Sequence, residues 1–198
     1  MSKVSYPKGI VPIAPQTAKK KGAKRQSVLG FGNRGMSFED AINASNDYYR
    51  DHGIALITKR PTPINIVKVD YTKGATITQA YFETQSTTDY NGVYQGHYID
   101  FEAKSTRNKT SFPLANIPLQ QIEHLERVIA QSGWTFFLIQ FVLLNEVYLL
   151  RGEFVTKFYR EHKRSSIPLE EIKANGYLVK EGLNPRYDYM DIVIKNFN

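Results

Sequence analysis

Residues 87–104, TTDYNGVYQGHYIDFEAK, read as two β-strands joined by a turn, and they carry Asp89, Asp100, Glu102 and Lys104. Side chains two apart share a face of a strand. Asp100, Glu102 and Lys104 therefore line one face, with Ile99, Phe101 and Ala103 on the other. Two registers satisfy this pattern. A turn at Asn91-Gly92, the stronger hairpin signal by composition, sets Asp89 opposite Tyr94 and leaves Glu102 roughly 26 Å away. A turn at Gln95-Gly96 pairs residues whose numbers sum to 191, so Asp89 faces Glu102 and Thr87 faces Lys104. Directly opposed Cβ atoms lie about 4.5–5.5 Å apart, near enough for two carboxylates to hold one hard cation. Without a cation the two repel one another. Patterning allows either register; the chemistry favours the second. A solvated hairpin face with an incidental ion pair is the alternative reading of the same residues.

The flanking segments supply the other elements. Ser37 and Asp40 have capping-box spacing, and Phe38, Ile42, Ser45 and Tyr49 follow as a helical stripe that Gly53 ends. A strand, IALITK, is stopped by Pro61 and Pro63. The β-rich runs INIVKVDY and TITQAYF flank Lys73-Gly74, which predicts a hairpin stalk over about 63–83 with polar residues on both faces. Pro118 suits the first position of a second helix, with Leu119, Ile122, Leu125 and Ile129 as its apolar stripe and Gly133 as its stop. WTFFLIQFVLL and EVYLL read as buried strands around Asn145, followed by short helices near 153–163, 168–175 and 187–196. The fold class expected is α/β with a mixed sheet.

The net charge of +7 is unevenly placed: residues 1–34 hold eight basic residues and no acid, leaving 18 basic and 19 acidic residues beyond. With Pro7, Pro12 and Pro15 and little apolar periodicity, residues 1–32 read as a flexible basic arm ahead of a folded region, 33–198. Lys19, Lys20, Lys21, Lys24 and Arg25 are its candidates for neutralising nucleic-acid phosphates. Arg34 sits just ahead of a helix N-terminus, where a phosphate can bind. GFGNRG, residues 30–35, matches G-x-G-x-x-G in form, but it follows a basic loop rather than a strand and reads as a joint. The chain has no cysteine, which excludes disulfides and thiolate–metal sites. No apolar signal core opens it, and its longest apolar run is broken by Gln140, so a soluble cytoplasmic protein is expected. His52, His97, His124 and His162 lack ligand spacing and are expected at surface or helix-end positions.

Asp89 followed by Glu102-Ala103-Lys104 resembles the D…(D/E)xK signature of restriction-endonuclease-like nucleases, with Thr88 where a proline often precedes the acid. The flanking elements fit that fold's αβββαβ core. NRGMSFED, KRPTPINIV, STTDYNGVYQGHYIDFEAKST, KTSFPL and QIEHL resemble the RecU family of bacterial Holliday junction resolvases, from about Asn33 to the C-terminus. The resemblance implies a Mg²⁺-dependent homodimer, with Mn²⁺ as a substitute ion, that nicks four-way DNA junctions at two symmetric positions in recombination and repair. It also implies a RecA-type recombinase as a partner. Carried over residue by residue, Asp89 and Glu102 are metal ligands together with Thr87 and Gln121, and Lys104 stabilises the transition state. Glu39 matches an acid found near this site in related nucleases. The 63–83 hairpin matches the family's stalk, with Lys73 the basic residue at its tip, and the arm fits a DNA clamp. Two other functions share these features: a non-catalytic junction-binding accessory protein, which needs no metal, and a nuclease of the same fold acting on ordinary duplexes.

Overall fold

The computed structural model describes residues 36–83, 87–161 and 163–197. The arm, with Lys19, Lys20, Lys21, Lys24, Arg25 and Arg34, lies outside the described residues, as does His162. Helix α1, Phe38–Asp51, begins where the capping box predicts: the Asp40 N–H donates to Ser37 Oγ, and Asp40 Oδ2 accepts from the Ser37 N–H. The chain then runs through β1 (Leu56–Lys59), β2 (Ile64–Asp70), β3 (Thr76–Phe82), β4 (Tyr90–Tyr94) and β5 (His97–Thr106). After β6 (Ser111–Pro113) come α2 (Leu119–Ala130), β7 (Trp134–Phe141), β8 (Glu146–Arg151) and α3 (Gly152–Glu161). It closes with β9 (Ser166–Pro168), α4 (Leu169–Asn175), β10 (Gly176–Leu178) and α5 (Tyr189–Asn196).

Six strands form one sheet in the order β1-β4-β5-β7-β8-β10. Its β5–β7 pair is parallel and its other neighbours are antiparallel, so the sheet is mixed. A parallel pair needs a crossover connection, and α2 lies within it. In chain order α1, β1, β4, β5, α2 and β7 make the expected αβββαβ core, with the β2–β3 hairpin inserted after β1. That hairpin is a two-stranded sheet of its own whose strand residues are all exposed except the half-buried Val69, up to Phe82 at 80%. Lys73 is exposed at its tip.

Apolar side chains fill both faces of the main sheet. One layer joins Ile42 and Tyr49 of α1 and Met190 and Val193 of α5 to Phe101, Phe136 and Leu138. The other joins Ile122 and Leu125 of α2 and Val155 of α3 to Phe137, Ile139 and Leu150. Each such buried side chain contributes roughly 1.5–3 kcal/mol of transfer free energy, which makes β7 the centre of the fold. In parallel register Glu102 lies beside Phe137 and Lys104 beside Ile139. The charged face of β5 therefore lies on the α2 side, at the margin of an apolar layer.

Three details depart from the sequence reading. Pro118 is the N-cap of α2 rather than its first helical residue, and the left-handed residue at its exit is Ser132 (φ 60°), not Gly133. Strands β6, β9 and β10, three residues each, carried no recognisable pattern. Among the described residues no helix is long and apolar enough to cross a membrane.

Candidate active site

The β4–β5 turn decides the geometry of the site. Gln95 (φ 44°) and Gly96 (φ 88°) both take left-handed conformations, the backbone a two-residue turn needs to match strand twist. The ladder runs from Tyr94–His97 to Tyr90–Phe101, which is the register that brings Asp89 to Glu102. Asn91 and Gly92, despite their turn-like composition, sit within β4. Gly92 is required there by its neighbour strand: a Cβ would lie 2.2 Å from the Leu56 carbonyl oxygen.

Asp89 closes the ladder in its own way. Its N–H donates not to a backbone carbonyl but to Glu102 Oε2, at 3.0 Å. Its own carbonyl accepts from the Arg60 N–H at 2.7 Å, which ties it to the end of β1. Thr87 lies in a bend before β4, so the expected pairing with Lys104 does not form; its carbonyl instead faces Gln121 Nε2 at 3.5 Å. Glu102 is fully buried, and its Oε1 accepts from Lys104 Nζ at 2.6 Å and from Gln121 Nε2 at 3.0 Å. Gln121 reaches it because α2 presents Gln121, Ile122 and Leu125 to the sheet from its first turns. Asp89, Glu102, Lys104, Gln121 and the Thr87 carbonyl thus converge.

Glu39 projects from the first turn of α1 and pairs with Lys59 Nζ at 2.5 Å. Nearby, Tyr90 donates its phenol O–H to Asn43 Oδ1 at 3.1 Å. Its phenol is pushed well up by burial and then by the charges of Glu39, Asp89, Asp40 and Glu102.

The electrostatics are dominated by Glu102. Burial, followed by the negative charge and hydrogen bond of Asp89, pushes its carboxyl up to about 8, against the opposing charge of Lys104. Although Lys104 is in contact, desolvation and the neighbouring carboxylate outweigh it, so ionising Glu102 is harder than ionising a free carboxyl. Two carboxyls that oppose one another's ionisation mark a place where a cation would relieve repulsion. Gln121 Oε1, moreover, is buried and has no hydrogen-bond partner. These residues fit a hard divalent cation, since every available donor is an oxygen. Among the described residues no three His, Cys, Asp or Glu side chains cluster to hold a metal; amide and main-chain oxygens would complete the pair.

A second polar cluster, which the sequence reading missed, lies one step along the same face of β5. Asp100 is completely buried, and its Oδ2 accepts from Arg60 Nη2 at 2.7 Å, from Tyr98 OH at 2.9 Å and from His124 Nε2 at 2.9 Å. Thr88 Oγ1 donates to its Oδ1. Burial pushes this carboxyl up, but the hydrogen bonds of His124 and Thr88 and the charge of Arg60 outweigh it and hold the group below the ordinary carboxylate range. His124 is therefore a member of a buried network rather than a surface residue. Strand alternation already puts Asp100 on the Glu102 face; what the sequence does not signal is its meeting with Arg60, Thr88, Tyr98 and His124.

The family model for Recombination protein U matches residues 33–195. The chain belongs to the RecU family. A curated RecU relative, the Holliday junction resolvase RecU of Geobacillus kaustophilus, is 50% identical over 179 residues, 88% of this chain and 90% of that one. The RecU protein of Streptococcus uberis, described as a Holliday junction resolvase, is 52% identical over 176 residues, 87% of each chain. That of Lactococcus lactis subsp. cremoris strain MG1363, described in the same way, is 48% identical over 207 residues, 97% of each. A solved Holliday junction resolvase, Archaeoglobus fulgidus Hjc, matches at a TM-score of 0.38 and 8% identity over 68% of this RecU chain and 93% of that chain.

Proposed function

We propose that this protein is a divalent-metal-dependent endonuclease that resolves four-way DNA junctions. The observation that carries the reading is the register of the β4–β5 hairpin, which sets Asp89 against Glu102 with Lys104 on the same carboxyl. The names of the RecU relatives supply the junction as substrate. Asp89 and Glu102 would hold Mg²⁺, or Mn²⁺ in its place, with oxygens of Gln121 and Thr87. When bound, the ion supplies charge neutralisation at the scissile phosphate and acidifies water.

The protein's residues do the rest. As a metal ligand Glu102 would be a carboxylate, its proton lost to solvent, and Lys104 Nζ, already beside Glu102 Oε1 and partly exposed, would stand next to the scissile phosphate. There it offers positive charge and hydrogen bonds to the oxygens on which negative charge accumulates during in-line attack. Glu39, paired with Lys59, would stand as the additional acid near the site. Lys73 at the hairpin tip and Lys19, Lys20, Lys21, Lys24, Arg25 and Arg34 would hold phosphates away from the site. A homodimer presents two such sites about a two-fold axis, matching the symmetry of a junction.

The test uses a synthetic junction and a linear duplex of the same arm sequence, each with Mg²⁺ and with EDTA. Paired nicks in the junction alone, dependent on Mg²⁺ and lost in Glu102→Ala, are expected. Equal cutting of the duplex would overturn the junction selectivity, and undiminished cutting by Glu102→Ala would overturn the site.

A further inference from the structure

We propose that Asp100, held by Arg60, Thr88, Tyr98 and His124, is a positioning residue that fixes Asp89 where a metal ion needs it. This rests on the reading of Asp89 as a ligand. Asp89 itself lies just before β4, one residue beyond the Tyr90–Phe101 pair that ends the β4–β5 ladder. The contacts around it run through Arg60 and Thr88. The Arg60 N–H holds the Asp89 carbonyl at 2.7 Å, and Arg60 Nη1 donates to Thr88 Oγ1 at 2.9 Å and lies 3.4 Å from the Thr88 carbonyl. The guanidinium that reaches Thr88 is itself anchored through its other terminal nitrogen on Asp100 Oδ2. Thr88 Oγ1, accepting from Arg60, donates its own hydrogen bond to Asp100 Oδ1. The Thr88 side of the Asp89 peptide is thereby referred to one buried carboxylate, through Thr88 Oγ1 and through the Arg60 guanidinium.

That carboxylate also joins the elements that carry the site. Asp100 precedes Glu102 by two residues on β5, and His124 follows Gln121 by three on α2, within the same helical turn. Arg60 follows β1, and Thr88 is the residue before Asp89. The four donors satisfy both oxygens, so the cluster has one low-energy arrangement, and a buried network in that condition specifies geometry. Side chains that orient metal ligands without touching the ion commonly change metal affinity by about 10–100-fold when altered.

The experiment compares Thr88→Val, which removes the hydroxyl at constant shape, with Thr88→Ser, which restores it, and with Tyr98→Phe at the cluster's rim. Val155→Ala, a core truncation under α3, controls for general destabilisation. Two quantities are read in each protein: amide exchange of Asp89 in metal-free buffer, and the affinity for Mn²⁺ titrated into the metal-free protein. Thr88→Val should exchange the Asp89 amide about five- to tenfold faster, the worth of one or two hydrogen bonds, and bind Mn²⁺ about tenfold more weakly. Thr88→Ser should return both, and Tyr98→Phe should shift both by less in the same direction, which serves as the test should Thr88→Val not fold. Val155→Ala should leave Mn²⁺ affinity unchanged. Thr88→Val or Tyr98→Phe matching the parent in both quantities, or Val155→Ala matching Thr88→Val, would overturn the proposal. Absence of metal-dependent junction cleavage in the parent, with the exchange effect present, would instead overturn the proposed function and leave Asp100 as the residue that positions Asp89.

Discussion

Glu102 makes the stability of the metal-free protein depend on pH in a direction that can be worked out. In the unfolded chain its carboxyl ionises near 4.5; in the folded protein burial and Asp89 hold it at about 8. The folded state binds that proton more tightly, so the group's contribution is complete below pH 4.5 and is lost as pH rises through 8. At about 1.4 kcal/mol per pH unit, the loss is on the order of 3–5 kcal/mol, a large part of the roughly 5–15 kcal/mol that holds a domain together. Urea unfolding in EDTA at about pH 5, 6.5 and 8 measures it, with Glu102→Gln as the reference. The variant has an offset of its own, because its amide nitrogen cannot accept from the Asp89 N–H, but it has no proton to lose. The parent should fall relative to Glu102→Gln by several kcal/mol across this window. Saturating Mg²⁺ at the alkaline end should restore about 2.7 kcal/mol at a hundredfold excess over its dissociation constant, in the parent only. Parallel curves for the two proteins would refute the burial argument for Glu102.

The other predictions concern the scaffold and the arm. Gly92→Ala places a methyl 2.2 Å from the Leu56 carbonyl oxygen and should cost on the order of 1–3 kcal/mol by pushing β1 away, measured as a lower urea midpoint. Asp100 acts oppositely to Glu102: with its carboxyl held low, its contribution is present above the ordinary carboxylate range and fades in acid, so Asp100→Asn should flatten the acid limb of the stability curve. Arg60→Met leaves Asp100 buried without its cation and should cost about 3–5 kcal/mol, read from thermal unfolding. Removal of residues 1–32 should weaken junction binding and flatten its logarithmic salt dependence by roughly 0.9 for every phosphate the arm neutralises; an unchanged slope would exclude an arm–phosphate role.

The helices and long strands were legible because each carries its period in full: the Phe38–Tyr49 stripe with its capping box, the Leu119–Ile129 stripe, and the unbroken apolar run of β7. The meeting of Asp89 and Glu102 was legible because strand alternation is strict, so the choice between two registers became a choice between a paired and a stranded carboxylate. Local turn propensity pointed the wrong way at Asn91-Gly92, since glycine there answers the close approach of Leu56 from a distant part of the chain, which no local pattern records. The Asp100 cluster was hidden for a related reason. Arg60, Thr88, Tyr98 and His124 each look like ordinary surface residues in sequence, and only the meeting of β1, β5 and α2 makes them partners. Three-residue strands such as β10 have too few alternations to register at all.

The parallel β5–β7 pair sets an order of events. Asp89 and Glu102 are joined by closing a two-residue turn, an event of about 1–10 μs for a hairpin with little loop entropy to overcome. Gln121 arrives only when the chain of residues 107–133 has folded back over the sheet. A nascent chain would therefore possess the acidic pair before Gln121 closes on it. In that interval both carboxyls stand in water, and burial, the main cause of the raised Glu102 carboxyl, has yet to act.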